Sequence, residues 1–158
     1  RFKLVNDTLG HTVGDHVLKL PAGPAFAVLD TPQAAWPKET GRTAGWLFRG
    51  YSLDSKRRPS FRYSFNGLEF VDFPQPRVVD FDVSLTREIT VRGTPGGPVW
   101  FRAAVGEIKP VADGVWQIDG ELKLSFRGGG TPVVVGNELR VPLVFKDGTA
   151  TLIEEFVW

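Results

Sequence analysis

The chain has 158 residues and 17.5 kDa, with 42% hydrophobic and 23% charged residues. That is enough apolar material for one domain with a core, and too much for disorder. Nineteen basic residues against eighteen acidic ones leave a net charge near +1, which argues against a nucleic-acid binder or a polybasic membrane binder. No apolar run approaches the roughly 18 residues of a membrane-spanning helix, so membrane insertion is not expected.

The absence of Cys removes disulfides, thiolate metal sites, a Cys nucleophile and the C-x-x-C-H haem attachment motif. His11 and His16 are the only histidines. Their spacing puts them on opposite faces of a strand, and no carboxylate nearby completes a ligand set, so they read as turn or surface residues, and neither metal nor cofactor is expected. The chain also lacks Met, even at position 1, and its terminal strand pattern, Thr151 to Trp158, stops without a polar tail. Residues 1–158 are therefore expected to form a single domain that is a fragment or module of a larger protein.

From Pro21 to Gly45 the pattern is irregular and holds four of the twelve prolines. A long ordered loop is expected, with one strand over Ala25–Leu29. One helical turn is expected over 31–36, capped by Thr31, with Pro32 first and Pro37 ending it. Trp36 would then offer an exposed ring.

Beyond Gly45 the period is two. Leu47, Arg49, Tyr51 and Leu53 alternate with Trp46, Phe48, Gly50 and Ser52; Phe61, Tyr63 and Phe65 alternate with polar residues, as do Phe81, Val83 and Leu85. This is the signature of half-buried strands. Asn66-Gly67, Asp113-Gly114, Asp119-Gly120, Gly136-Asn137 and Asp147-Gly148 punctuate the runs with residues that accept the positive φ of tight hairpins. Tight turns join antiparallel neighbours. The expected fold is all-β, an antiparallel β-sandwich of about 11–13 short strands joined mainly by hairpins, counted by the strand signals.

No G-x-S-x-G or H-E-x-x-H motif supplies a nucleophile or a metal-bound base. Of the carboxylate pairs Asp80/Asp82 and Glu154/Glu155, the first shares a strand face at roughly 7 Å, a spacing that would suit acid–base work, but it reads as the wet face of an amphipathic strand. Twelve of the nineteen basic residues are Arg, and Arg49, Arg62, Arg87, Arg92, Arg102, Arg127 and Arg140 all fall in predicted strands. Their bland role is a ladder of cross-strand ion pairs with Glu69, Asp72, Glu88 and Glu121. Arg102 shares a face with Trp100, and a ring beside a planar donor is a means of holding a sugar, the ring on its C–H face and the donors on its hydroxyls. Most of the five tryptophans are expected in the core.

Two resemblances enter on particular segments. The first nineteen residues, RFKLVNDTLGHTVGDHVLK, resemble the N-terminal signature of diguanylate cyclase (GGDEF) domains. The match stops there; with no GG[DE]EF loop downstream it transfers no function and reads as chance or a domain junction. The segments VGDHVLKLPAGPAFAVLD, AGWLFRGYSLDSKRRPSFRYSFNGLEFVDF, LTREITVRG and PVWFRAAVG resemble a β-rich accessory module of planctomycete-type extracytoplasmic proteins. Those proteins carry PQQ- or sorbosone-dehydrogenase-like propellers and c-type cytochrome domains. The most specific part is Gly50, Tyr51, Leu53, Asp54, Arg58, Pro59, Phe61 and Tyr63. As a physical object it is a hairpin, with Asp54 bonding its own turn and Pro59 starting the return strand.

The resemblance implies a secreted or periplasmic location and redox domains as neighbours, with no redox centre in this chain. The expected function is a non-catalytic module of a carbohydrate-oxidising multidomain protein, binding carbohydrate or docking a redox domain. Its expected ligand face is Trp36, Arg49, Tyr51, Arg62, Trp100 and Arg102. The alternatives are a mutarotase- or lyase-like sugar-active sandwich, in which a carboxylate acts as base beside an Arg, and a purely structural spacer.

Overall fold

A computed structural model describes residues 23–79 and 82–157. Twelve strands run through them in chain order: β1 Phe26–Val28, β2 Leu47–Leu53, β3 Pro59–Phe65, β4 Leu68–Val79, β5 Asp82–Arg92 and β6 Val99–Val105, followed by β7 Ile108–Ala112, β8 Val115–Ile118, β9 Leu122–Gly128, β10 Val133–Val135, β11 Glu138–Pro142 and β12 Thr149–Val157. All pairings between them are antiparallel. They form a large sheet in the order β2-β3-β4-β5-β12-β9-β8-β7 and a small one in the order β1-β6-β11-β10, the two-sheet antiparallel β-sandwich that the period of two predicts. His11, His16, Asp80, Trp158 and the cyclase-like segment lie outside the described residues.

The hairpins are where turn chemistry puts them. Asn66 (φ 48°) and Gly67 (φ 75°) close β3 onto β4, both in the left-handed region that a two-residue hairpin requires. The β2–β3 turn is built by Asp54. Its Oδ1 accepts the Lys56 and Arg58 backbone N–H groups at 2.9 and 2.8 Å, and its Oδ2 accepts Arg58 Nε at 2.8 Å. These bonds, led by that from the Arg58 backbone, hold the Asp54 carboxyl below the usual carboxylate range. The helical turn expected over 31–36 is a single bend, closed by Ala34 N–H to the Thr31 carbonyl. The one helical element among the described residues is a 3-10 turn over Arg42–Ala44.

The core lies between the sheets. From the small sheet Phe26, Val99, Phe101 and Val141 pack against Leu68, Phe70, Ile89, Val91, Ala150 and Leu152 of the large one. A second cluster brings Ala104 and Leu139 against Ile118, Leu122, Leu124 and Phe156. β12 serves both, presenting Ala150, Leu152, Glu154 and Phe156 inward at every second position. Two irregularities shape what remains. A bulge on β2 between Phe48 and Gly50 sets Phe48 opposite Tyr63 and Tyr51 opposite Phe61, so both rings share the inner face. β3 pairs with β4 only as far as Asp72, so β4 continues past it with β5 alone and can carry Pro74 and Pro76, whose missing N–H groups break no ladder.

Leu152 has no exposed surface, and a buried leucine truncated in a close-packed core loses both its transfer energy and the space it filled. Leu152→Ala is expected to destabilise by about 2–5 kcal/mol in urea unfolding, whereas Phe48→Ala, 60% exposed, stays within about 0.5 kcal/mol of the parent.

Candidate functional site

Alternation along β3, β4, β5 and β12 puts Tyr63, Asp72, Arg87 and Glu154 on the inner face of the large sheet, among residues that are otherwise apolar. Arg87 is the centre. Its Nε donates to both oxygens of Asp72 at 2.9 and 3.0 Å and its Nη2 to Asp72 Oδ2 at 2.6 Å. Its remaining terminal nitrogen, Nη1, lies 3.6 Å from Glu154 Oε2. The guanidinium carbon sits 5.3 Å from the Phe101 ring centroid of the small sheet, a cation–π contact across the interface.

Exposure grades sharply across this group. Arg87 and Asp72 are 23% and 16% exposed, and Glu154 is 0% exposed, with neither oxygen hydrogen-bonded. Burial pushes the Glu154 carboxyl up to about 8; Arg87 pulls it back in part, and Asp72 adds to the rise. Burial, then Asp72, pushes the Tyr63 hydroxyl up to about 12. For Arg87 burial works against the charge, but the bonded Asp72 and nearby Glu154 outweigh it and hold the guanidinium more firmly protonated than usual. At neutral pH the group therefore holds a neutral acid, a bonded ion pair and a phenol.

Beside it the inner face is open. Phe48, Tyr51 and Leu53 are 60%, 62% and 52% exposed. The Phe48 ring stands 5.4 Å from Tyr63, and Tyr51 stands 6.5 Å from Phe61. Grouped exposed rings are unusual on a sheet face that otherwise buries its apolar residues, and such patches mark recognition surfaces. The arrangement is an aromatic margin leading to a charged floor.

The sequence-predicted ligand residues divide among three places. Tyr51 belongs to this open face. Arg49 and Arg62 do not: Arg49 donates to Ser64 Oγ at 2.9 Å, and Arg62, opposite Val71, alternates with the inward Phe61 and Tyr63. Both project from the other side of the large sheet. Trp36, Trp100 and Arg102 lie together on the outer face of the small sheet, each 7% exposed. The exposed Trp36 expected from the sequence is corrected: the ring packs with Ala27, Leu29 and Trp100, and its Nε1 donates to the Pro24 carbonyl at 2.8 Å.

Two guanidiniums close over it, with Arg102 and Arg140 carbons 5.0 and 5.1 Å from its centroid. Glu138 joins them, accepting Arg102 Nη1 at 2.9 Å and Arg140 Nε at 2.8 Å. Arg140 Nη1 also donates to the carbonyls of Pro32 and Ala34, which fastens the 29–38 loop onto the sheet. A cleft of about 510 Å³ borders this fastening, lined by Ala35, Trp36, Pro37, Lys38, Arg102 and Glu138. Its arginines are spent on structure.

Asp72, Arg87 and Glu154 were legible as anomalies of pattern. Each is a charge at an inward position of an alternating strand, most plainly Glu154 between Leu152 and Phe156. Among the described residues no three His, Cys, Asp or Glu side chains are grouped to hold a metal ion, and no helix is long and apolar enough to cross a membrane. Compared with known proteins, the chain matches no family model, no curated protein and no solved structure.

An unfolded glutamate ionises near 4.5 and Glu154 in the fold at about 8. Between those values the folded chain keeps a proton that the unfolded chain releases, so stability falls as pH rises through the window and levels off above it. Chemical denaturation from pH 5 to 9 should show a downward contribution approaching about 1.4 kcal/mol per pH unit. Glu154→Gln should remove it and be the more stable protein at pH 8.

Proposed function

We propose that this domain is a non-catalytic carbohydrate-binding module, and that its ligand lies on the open inner face of the large sheet. The observation that carries this reading is the exposure of Phe48 and Tyr51 on the inner side of β2, next to the rings of Phe61 and Tyr63 and leading to Asp72 and Arg87. Rings of this kind stack on the C–H faces of sugars, and an arginine–carboxylate pair at the edge of the core offers both donors and acceptors to hydroxyls. Tyr51, Phe61 and Tyr63 also belong to the segment that resembles the accessory modules of extracytoplasmic sugar-oxidising proteins. On that resemblance the host is a secreted or periplasmic multidomain protein with redox neighbours.

A second reading, a mutarotase- or lyase-like enzyme, is favoured by one specific feature: two carboxylates flank one arginine, and one of them stays protonated at neutral pH. Glu154 has no exposed surface, so contact with substrate would fall to Asp72. Under this reading Asp72→Asn abolishes anomer interconversion or chain cleavage.

Calorimetry with cello-, xylo- and mannohexaose tests the first reading. At least one is expected to bind, with affinity lowered about tenfold or more by Tyr51→Ala or Phe48→Ala, since loss of one stacked ring costs on the order of 1–3 kcal/mol, as it does for stacked bases. Arg49→Ala and Arg62→Ala, on the opposite face, should leave affinity unchanged. No binding by any of the three, or binding indifferent to both ring deletions, contradicts the proposal.

A further inference from the structure

Arg87 has three nitrogens and two carboxylates to serve. Nε and Nη2 are committed to Asp72, and Nη1 faces Glu154 at 3.6 Å, beyond hydrogen-bond length. Glu154 sits between Leu152 and Phe156, one in each core cluster, and neither of its oxygens has a hydrogen-bond partner. A carboxylate so placed is costly unless paired, and among the described residues the charged donor facing it is the Arg87 guanidinium.

The charged and titratable groups facing it can be named element by element. β5 supplies Arg87 and β4 supplies Asp72, while Tyr63 of β3 acts on that pair. β9 presents Leu124 and Phe126, and the small sheet presents Phe101, Ala104, Leu139 and Val141, none of which titrates. Arg102, Glu138 and Arg140 belong to the far side of the small sheet.

The geometry points to a proton-operated latch: Glu154, when it loses its proton, draws Arg87 away from Asp72 and leaves the Asp72 carboxylate open toward the aromatic margin. With Glu154 neutral, Arg87 keeps its bonds to Asp72. With Glu154 ionised, two carboxylates compete for one guanidinium, and the buried one gains more from it because water cannot solvate it. Asp72 lies at the edge of the open face and then accepts hydrogen bonds from whatever occupies that face. This deepens the proposed ligand site and rests on that reading for its consequence in binding, although the latch itself is a property of the free protein.

The test is a pH titration from 6 to 10 of the Arg87 Nε–Hε resonance in the whole chain, by ¹⁵N NMR, alongside calorimetry with the same three hexaoses. In the parent protein the resonance is expected to move through one transition near pH 8, and hexaose affinity to rise at least threefold across it. In Glu154→Gln the resonance and the affinity should be flat at their low-pH values. Tyr63→Phe should leave the transition in place, since its hydroxyl ionises near 12.

An Arg87 resonance that does not move in the parent between pH 6 and 10 overturns the latch. So does a transition that persists in Glu154→Gln. A transition removed by Glu154→Gln, in a protein that binds no hexaose at any pH, upholds the latch and removes the carbohydrate reading.

Discussion

Arg87 carries its charge at the junction of two sheets, over the Phe101 ring and between Asp72 and Glu154. Bringing a guanidinium that far out of water costs several kcal/mol, and the three hydrogen bonds to Asp72 are what offset it. This requirement fixes much around it. Asp72 must face inward, which sets the register of β4 against β5. β3 stops pairing just where that carboxylate begins to see solvent. Between the sheets the apolar contacts fall into two clusters, bridged along β12 by the residue between Leu152 and Phe156. The ion pair marks the boundary between a closed, packed region and a margin that remains wet.

The molecule uses arginine in two physically different ways. On the outer face of the small sheet, Arg102 and Arg140 flank Trp36 and share Glu138, and Arg140 also binds loop carbonyls. Glu138 and the carbonyls take up all three nitrogens of Arg140 and Nη1 of Arg102, so the outcome is a loop pinned to a sheet. Arg87 is different, because it has a second carboxylate within reach that it does not yet bond. The first arrangement has one low-energy state. The second can have two, depending on a single proton.

Much of the architecture was readable from residue order. Alternation located the strands, and Asn66-Gly67 and Asp54 to Pro59 gave the hairpins with their bonding chemistry. These are local effects, settled within a few residues. What was not readable is what depends on distant pairing. Nothing near Thr149 to Val157 says that β12 lies between β5 and β9, and nothing near Trp36 says that Arg102 and Arg140 will close over it. The bulge at Phe48–Gly50 shows the sharpest limit, because one extra residue moves every following side chain to the other face. Strict alternation pairs Arg49 with Tyr51, whereas the bulge pairs Phe48 with Tyr51 and sends Arg49 to Ser64. The buried charges were within reach of the sequence, since Glu154 breaks an apolar series, but a break in pattern does not say which arginine answers it.

Arg87 and Asp72 act as a coupled pair inside the sandwich, and a double-mutant cycle measures that coupling without reference to any ligand. The parent, Asp72→Asn, Arg87→Met and the double variant would be compared by urea unfolding at pH 6.5. A coupling energy above about 1.5 kcal/mol, with each single variant less stable than additivity with the double allows, is the predicted result for groups in one bonded network. A coupling within about 0.3–0.5 kcal/mol of zero, the range of independent sites, would contradict it.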